Sequence, residues 1–283
     1  MLPDSSNAFI GGVFYGAAET LVGHPFDTIK VRMQTSEKRF KGPLDAAMVT
    51  YKNEKLNGFY KGCTPSMLSW IIMDSITLGS LHQYRYFLKQ NFYNDYKTLP
   101  LFGHCIAGAM SGWTVSIISA PLEQIKSRLQ IQYDSHSKKF TGPIDCATTI
   151  YKLKGLKGLY SGLPSTLLFR SASAAWWGSY ESFKNYFNNN TNLSTISINF
   201  WAGGLSSIVF WSVGYPADVI RQIIMTDNIQ NPVFKNNILN VVKYVYKNRG
   251  IMGFFKGFGP SILRSFPANA AGITAFEFVM KYL

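Results

Sequence analysis

The chain has 283 residues, 47% of them hydrophobic and 15% aromatic, and carries a net charge of +13 on only 15% charged residues. The bases lie between apolar stretches and no nucleic-acid motif accompanies them, which argues against a basic nucleic-acid binder. Cys63, Cys105 and Cys146 have no paired spacing, so neither a disulfide frame nor a zinc site is expected, and nothing calls for a metal or a cofactor.

The first apolar stretch, 7–26, is rich in Gly and Ala. The residues before it, Met-Leu-Pro-Asp-Ser-Ser-Asn, have no basic region, so neither a secretory signal nor an Arg-rich transit peptide is expected and any organelle address would be internal. The stretch runs into Pro25-Phe-Asp-Thr-Ile-Lys30, followed by a segment with Lys38, Arg39, Lys41, Lys52 and Lys55, then by Gly58-Phe-Tyr-Lys-Gly62 and apolar residues near 64–84. The same words return in order. From Leu99 to Leu122 there is no Asp, Glu, Lys or Arg, and this stretch leads into Pro121-Leu-Glu-Gln-Ile-Lys126, Gly158-Leu-Tyr-Ser-Gly162 and apolar residues near 163–180. The uncharged run from Ile196 to Ala217 leads into Pro216-Ala-Asp-Val-Ile-Arg221, Gly253-Phe-Phe-Lys-Gly257 and the stretch 258–279.

The prolines recur at steps of 96 and 95 residues, close to one third of the chain, so the sequence is a threefold repeat. Each apolar stretch is of membrane-crossing length as a helix. The pattern predicts an all-α membrane protein: one domain of repeats 1–97, 98–193 and 194–283, with six transmembrane helices, a pseudo-threefold bundle and a short helix between the spans of each repeat. Aromatics near span ends, such as Tyr84, Tyr86, Phe87, Tyr180 and Phe183, suit an interfacial belt, and the basic segments suit anionic lipid headgroups.

Pro25, Pro121 and Pro216 remove a backbone donor and bend their helices. The acid two residues on and the base five residues on share one helix face. In a threefold ring, Asp27, Glu123 and Asp218 would pair in cyclic order with Lys30, Lys126 and Arg221, forming a gate, because unpaired charge at membrane depth is costly. One copy alone would read as a cap or a snorkelling end; three in register favour the gate. Gly12-x-x-x-Gly16, Gly108-x-x-x-Gly112 and Gly203-x-x-x-Ser207 predict close helix approach.

With these words in place, the whole chain resembles the mitochondrial carrier family. Its signature is similar to the Pro-x-[Asp/Glu]-x-x-[Lys/Arg] triplet, and its second motif to the Gly-aromatic-x-Gly words. The resemblance implies six tilted helices around a central cavity, a matrix-side gate at the triplet residues, a second gate on the cytosolic side, and alternating access across the inner mitochondrial membrane, usually by exchange. It implies a small-molecule substrate, inner-membrane lipid such as cardiolipin as partner, a monomer, and no catalytic chemistry. Gln34 and Gln130 match the glutamine that braces the matrix gate, and Met225 replaces it in the third repeat. Of the cytosolic words, Tyr180-Glu181-Ser-Phe-Lys184 fits fully, Phe276-Glu277 has the acid without the base, and Tyr84-Arg85 has a base where an acid belongs, so this gate is expected to be the weaker one.

Counting from the aromatic words, the resemblance implies substrate contacts at Ser69 and Trp70, Phe169 and Arg170, and Arg264 and Ser265. The run from Arg264 to Ala271, the first triplet with His24, and Trp211 are similar to the carnitine/acylcarnitine and basic amino-acid branch. That branch has an acid after the second arginine; here Ser171 follows Arg170, and Gly162 to Glu181 is one residue shorter than Gly257 to Glu277. Two guanidinium groups suit carboxylates, while Glu19 and Asp74 could balance a cation and Trp211 could face a quaternary ammonium. His24 reads either as packing near the gate or as a polar cavity-floor group. The expected function is transport of a small carboxylate-bearing metabolite such as an amino acid or acylcarnitine; the alternatives are a di/tricarboxylate or other organic-acid carrier and a non-transporting receptor or scaffold of the same fold.

Overall fold

Three times the chain folds a long helix, a short helix, a tight turn and a second long helix. The computed structural model describes residues 5–35, 43–60, 63–93, 98–130, 140–229, 231–255 and 258–282, and among these every regular element is helical. The first repeat gives α1 (Ser5–Thr35), α2 (Pro43–Glu54), a 3-10 turn at Leu56–Tyr60 and α3 (Cys63–Phe92). The second gives α4 (Leu101–Gln130), α5 (Pro143–Leu159), α6 (Leu163–Arg170) and α7 (Ser173–Asn190). The third gives α8 (Thr195–Thr226), α9 (Ile238–Arg249), a 3-10 turn at Ile251–Phe255 and α10 (Phe258–Tyr282).

The fourth long helix is therefore interrupted at Ser171 and Ala172, directly after Arg170. The interruption is held locally. Trp113 Nε1 donates to Ser171 Oγ at 3.0 Å, and Ser171 Oγ donates to the Leu167 carbonyl at 2.8 Å. A Cβ at Gly112 would lie 2.6 Å from the Arg170 carbonyl oxygen, so only glycine lets α4 come this close.

By length and composition, Leu101–Leu129 and Thr195–Thr226 are apolar enough to cross a membrane. The other long helices carry charge inside: Glu19 and Asp27 in α1, Asp74 and Arg85 in α3, Arg264 and Glu277 in α10.

The chain divides into two compact units. The first comprises Met1–Ser111, Ala174–Val209 and Gly259–Leu283. In it, Gly12 and Gly16 bring α1 onto α3: an added Cβ would meet Ser75 Cα at 2.4 Å and Ile71 Cα at 2.8 Å respectively. Gly203 does the same between α8 and α10, where a Cβ would lie 2.1 Å from Ile273 Cγ2. Small residues four apart thus place each first helix against the second helix of its own repeat.

The second unit comprises Gly112–Ser173 and Phe210–Phe258. Two small cores seat its short helices. Phe140, Cys146 and Ile150 pack with Ile125 and Leu129, holding α5 on α4; Ile220, Ile224, Val241 and Val245 pack with Phe234 and Phe254, holding α9 on α8. Burial in the first core pushes the Cys146 thiol pKa up, against the pull of Arg128, which makes it a packing residue rather than a nucleophile.

Each short helix carries a positive φ near its C-terminal end, directly after α2 and α9 and as a kink inside α5. Lys55, Gly155 and Gly250 have φ of 56°, 63° and 62°, at the same steps as the aromatic words. Three residues later, a Cβ at Gly58, Gly158 or Gly253 would lie 2.6, 2.7 and 2.5 Å from the Cβ of Glu54, Lys154 and Arg249. The first glycine of each aromatic word is therefore set by the return of the chain over the last turn of the short helix.

Candidate functional site

The proline motifs lie inside α1, α4 and α8, which continue past them. Pro25 cannot donate to the Leu21 carbonyl four residues earlier, and the Tyr60 hydroxyl donates to that carbonyl instead, at 3.0 Å. The aromatic word is also tied to the residue after the acid. Thr28 Oγ1 donates to the Phe59 carbonyl at 2.7 Å; Gln124 Nε2 donates to the Gly158 carbonyl at 2.9 Å, and its Oε1 accepts from the Gly162 amide at 3.2 Å. The third repeat has Val219 at this position. The two recurring words are thus parts of one joint. A polar residue inside the triplet was the available sign of it in the sequence.

In the second unit, Glu123 is the centre of a four-residue charge network. Arg170 Nη2 donates to its Oε1 at 2.8 Å, and Arg221 Nη1 binds its Oε2. Arg221 Nη2 also contacts Asp218 Oδ1 at 2.5 Å, three residues away on the same helix. Glu123 thus meets the base of the next repeat's motif, while Asp218 is held by its own helix. Phe169 lies under this network, with Arg221 4.3 Å and Arg170 5.8 Å from its ring centre, and Trp211 packs on the same ring at 6.0 Å. Ser171 faces Trp113, as described above. Lys126 is exposed, and Met225 is buried against Gly162, where an added Cβ would lie 2.9 Å from its Cε.

In the first unit, Arg264 Nε lies 2.7 Å from Asp27 Oδ1. Its N–H is not aimed at that oxygen, so the contact is an ion pair rather than a directed hydrogen bond. The guanidinium lies against Gly23, where a Cβ would be 3.4 Å from Nε and Nη2, and 5.8 Å from the Trp70 ring centre. Glu19 is buried one turn before Gly23, and Asp74 approaches α1 at Gly16. His24 is buried and stacked on Tyr60 at 6.3 Å, while Ser69 is exposed. The side chains of Lys30, Gln34 and Gln130 lie outside the described ones.

The other ends of the first unit's helices carry a second network. Lys184 Nζ lies 3.2 Å from Glu277 Oε1, and Tyr180 donates to the same oxygen at 3.0 Å, with Asn199 Oδ1 3.2 Å away. His104 Nδ1 is 3.9 Å from Glu181 Oε2. Arg85, the base in an acid's place, lies 4.9 Å from the ring centre of Trp177. Lys184 supplies the base that Glu277 lacks in its own word.

Three copies of a long helix with an internal proline, an acid two residues on and a base five residues on, each followed by a short helix and an aromatic turn, define a class of all-α three-repeat proteins. A family model described as mitochondrial carrier protein matches residues 3–92, 97–191 and 193–283. The chain is 40% identical over 279 residues to mitochondrial substrate carrier family protein L of Dictyostelium discoideum, covering 97% of this chain and 94% of that protein. It is 36% identical to the mitochondrial glycine transporter YMC1 of Saccharomyces cerevisiae, covering 97% and 90%. It is 32% identical to the human mitochondrial carnitine/acylcarnitine carrier protein, covering 97% and 93%. The chain belongs to the mitochondrial carrier family, whose members are transporters, and has that family's all-α, three-repeat fold.

Proposed function

We propose that the protein is a multi-pass carrier of the inner mitochondrial membrane that moves a small carboxylate-bearing metabolite, an amino acid or acylcarnitine, by alternating access and exchange. One observation carries the reading: Arg170 and Arg264 each hold the carboxylate of a proline motif, Glu123 and Asp27. A guanidinium already bound to a carboxylate is suited to exchange it for another. A substrate carboxylate at either arginine would take it from a motif acid and loosen the matrix gate, so binding energy goes into the conformational step. Trp70 beside Arg264 in the first unit, and Trp211 on the Phe169 ring that Arg170 also faces in the second, would each receive the rest of a solute held there, with Ser69, Glu19 and His24 as further contacts in the first unit and Ser171 in the second. The solutes named for the yeast and human relatives, glycine and carnitine, both carry a carboxylate. Guanidinium groups that each take a carboxylate also suit solutes with more than one, and a dicarboxylate is the second reading.

Basic side chains beside exposed apolar ones on the short helices, such as Lys52 beside Met48 and Tyr51, and Lys152 beside Tyr151, support contact with anionic lipid, cardiolipin in this membrane. The functional unit is a monomer. Purified protein in liposomes tests the transport reading. Loaded glycine, L-arginine, carnitine or a dicarboxylate should exchange with its labelled counterpart. Arg264→Ala should abolish exchange while the protein still purifies as a folded species. Absence of exchange with every solute in the panel would leave a receptor or scaffold. Unchanged exchange in Arg264→Ala would refute the site.

A further inference from the structure

Four residues of α1 spaced four apart, Tyr15, Glu19, Gly23 and Asp27, form a stripe facing α10. Tyr15 Oη donates to Asn269 Oδ1 at 2.7 Å, and a Cβ at Gly272 would touch the Tyr15 ring at 3.0 Å. A Cβ at Gly23 would meet Ala268 Cβ at 3.3 Å and the Arg264 guanidinium at 3.4 Å, and Asp27 holds Arg264 at 2.7 Å. Glu19 sits between Tyr15 and Gly23 on this stripe and is only 6% exposed; Tyr15 lies within electrostatic reach of Glu19, Asp74 and Arg264.

Gly23 is therefore midway between two carboxylates. At 1.5 Å per residue, Glu19 and Asp27 are each about 6 Å along the helix from it. The guanidinium already rests on Gly23, which presents no side chain to block movement toward either acid. Its contact with Asp27 is close but not aligned as a hydrogen bond.

We propose that Glu19 is a positioning residue for Arg264, receiving its guanidinium when Asp27 releases it. The proposal rests on the transport reading in one respect: the matrix-side charges must separate during the cycle. When they do, an arginine left at membrane depth without a carboxylate is unfavourable. A second seat one turn away keeps Arg264 charged, paired and directed at the substrate path. Asp74, on α3 beside Gly16, is the competing acid and serves as the control.

The test uses purified full-length protein in detergent and a double-mutant cycle of melting temperatures. Glu19→Gln alone should shift the midpoint by less than about 2 °C, because Arg264 rests on Asp27. In an Asp27→Asn background, where Arg264 must use the second seat, Glu19→Gln should lower it by about 5 °C or more. A purely packing role for Glu19 would give equal shifts in both backgrounds and overturn the proposal. So would the same coupling for Asp74→Asn in place of Glu19→Gln. A second measurement does not depend on Asp27→Asn folding. With whichever of glycine, L-arginine or carnitine the wild type exchanges, Glu19→Gln should lose about tenfold in exchange with its melting midpoint kept, and Glu19→Asp should recover most of it. Wild-type exchange in Glu19→Gln would overturn the proposal. If the wild type exchanges none of the three and no dicarboxylate either, the transport reading fails, and the melting cycle still decides the positioning role.

Discussion

At the scale of single residues, the three motif acids are not equivalent. Glu123 serves two arginines from two other helices, Asp218 serves a base on its own helix, and Asp27 serves one arginine through a contact without hydrogen-bond alignment. Breaking a buried pair leaves the remaining charge uncompensated, which costs more than the pair itself contributes. The Glu123 side chain is 25% exposed, which reduces that penalty. Glu123→Gln should then destabilise by about 2–3 kcal/mol, leaving Arg170 with a neutral partner and Arg221 with Asp218 alone. Asp218→Asn should cost about 1 kcal/mol or less, because Arg221 keeps Glu123. Thermal unfolding in detergent measures both. Equal losses would mean that the network does not centre on Glu123.

At the scale of elements, the triplet and the aromatic word are one joint, and the backbone shows it more uniformly than the side chains do. The period, the proline position and the glycine of each aromatic word were readable because the same local geometry is needed three times. The φ near 60° at Lys55, Gly155 and Gly250 follows the same period, yet two glycines and a lysine conceal it. No Cβ contact is present within 4 Å of Gly155, and its φ of 63° with ψ of −157° is a conformation nearly confined to glycine, so Gly155→Ala should cost about 1–3 kcal/mol through the backbone alone. Lys55→Gly should gain up to about 1 kcal/mol for the mirror reason, less the freedom glycine adds to the unfolded chain. Opposite signs of the two midpoint shifts are the expected result; the same sign would show that side-chain contacts set these positions. The interruption after Arg170 was not readable beyond a one-residue shortening. It depends on Trp113 and Gly112, which come from a different helix about sixty residues earlier in the chain. The engagement of Arg170 and Arg264 with motif acids was hidden for the same reason: periodicity places a residue on a helix face but does not say which helix it meets.

At the scale of the whole molecule, the second and third repeats share two charged links, one in each compact unit. Glu123 with Arg221 forms one, and Lys184 with Glu277, braced by Tyr180, forms the other. In the proposed alternating access such links break in turn, so neither would be too strong, and each would re-form with the correct partner. Lys184 and Glu277 are 25% and 26% exposed, a setting in which the pair contributes modestly but a reversed charge is costly. Lys184→Glu would set two carboxylates together and Glu277→Lys two ammonium groups. Each single reversal should reduce exchange in liposomes by about tenfold or more. The double reversal should recover most of the loss, since the geometry of the pair is preserved with its signs exchanged. Arg85 on Trp177 complicates the recovery: with Glu277 reversed, one of the acids facing that guanidinium is gone. Full recovery would mean that Arg85 is held by Trp177 and Glu181 alone, and partial recovery, relieved further by Arg85→Gln, would make Arg85 the first repeat's member of the network. Losses that simply add in the double variant would show that Lys184 and Glu277 do not form a gate at all.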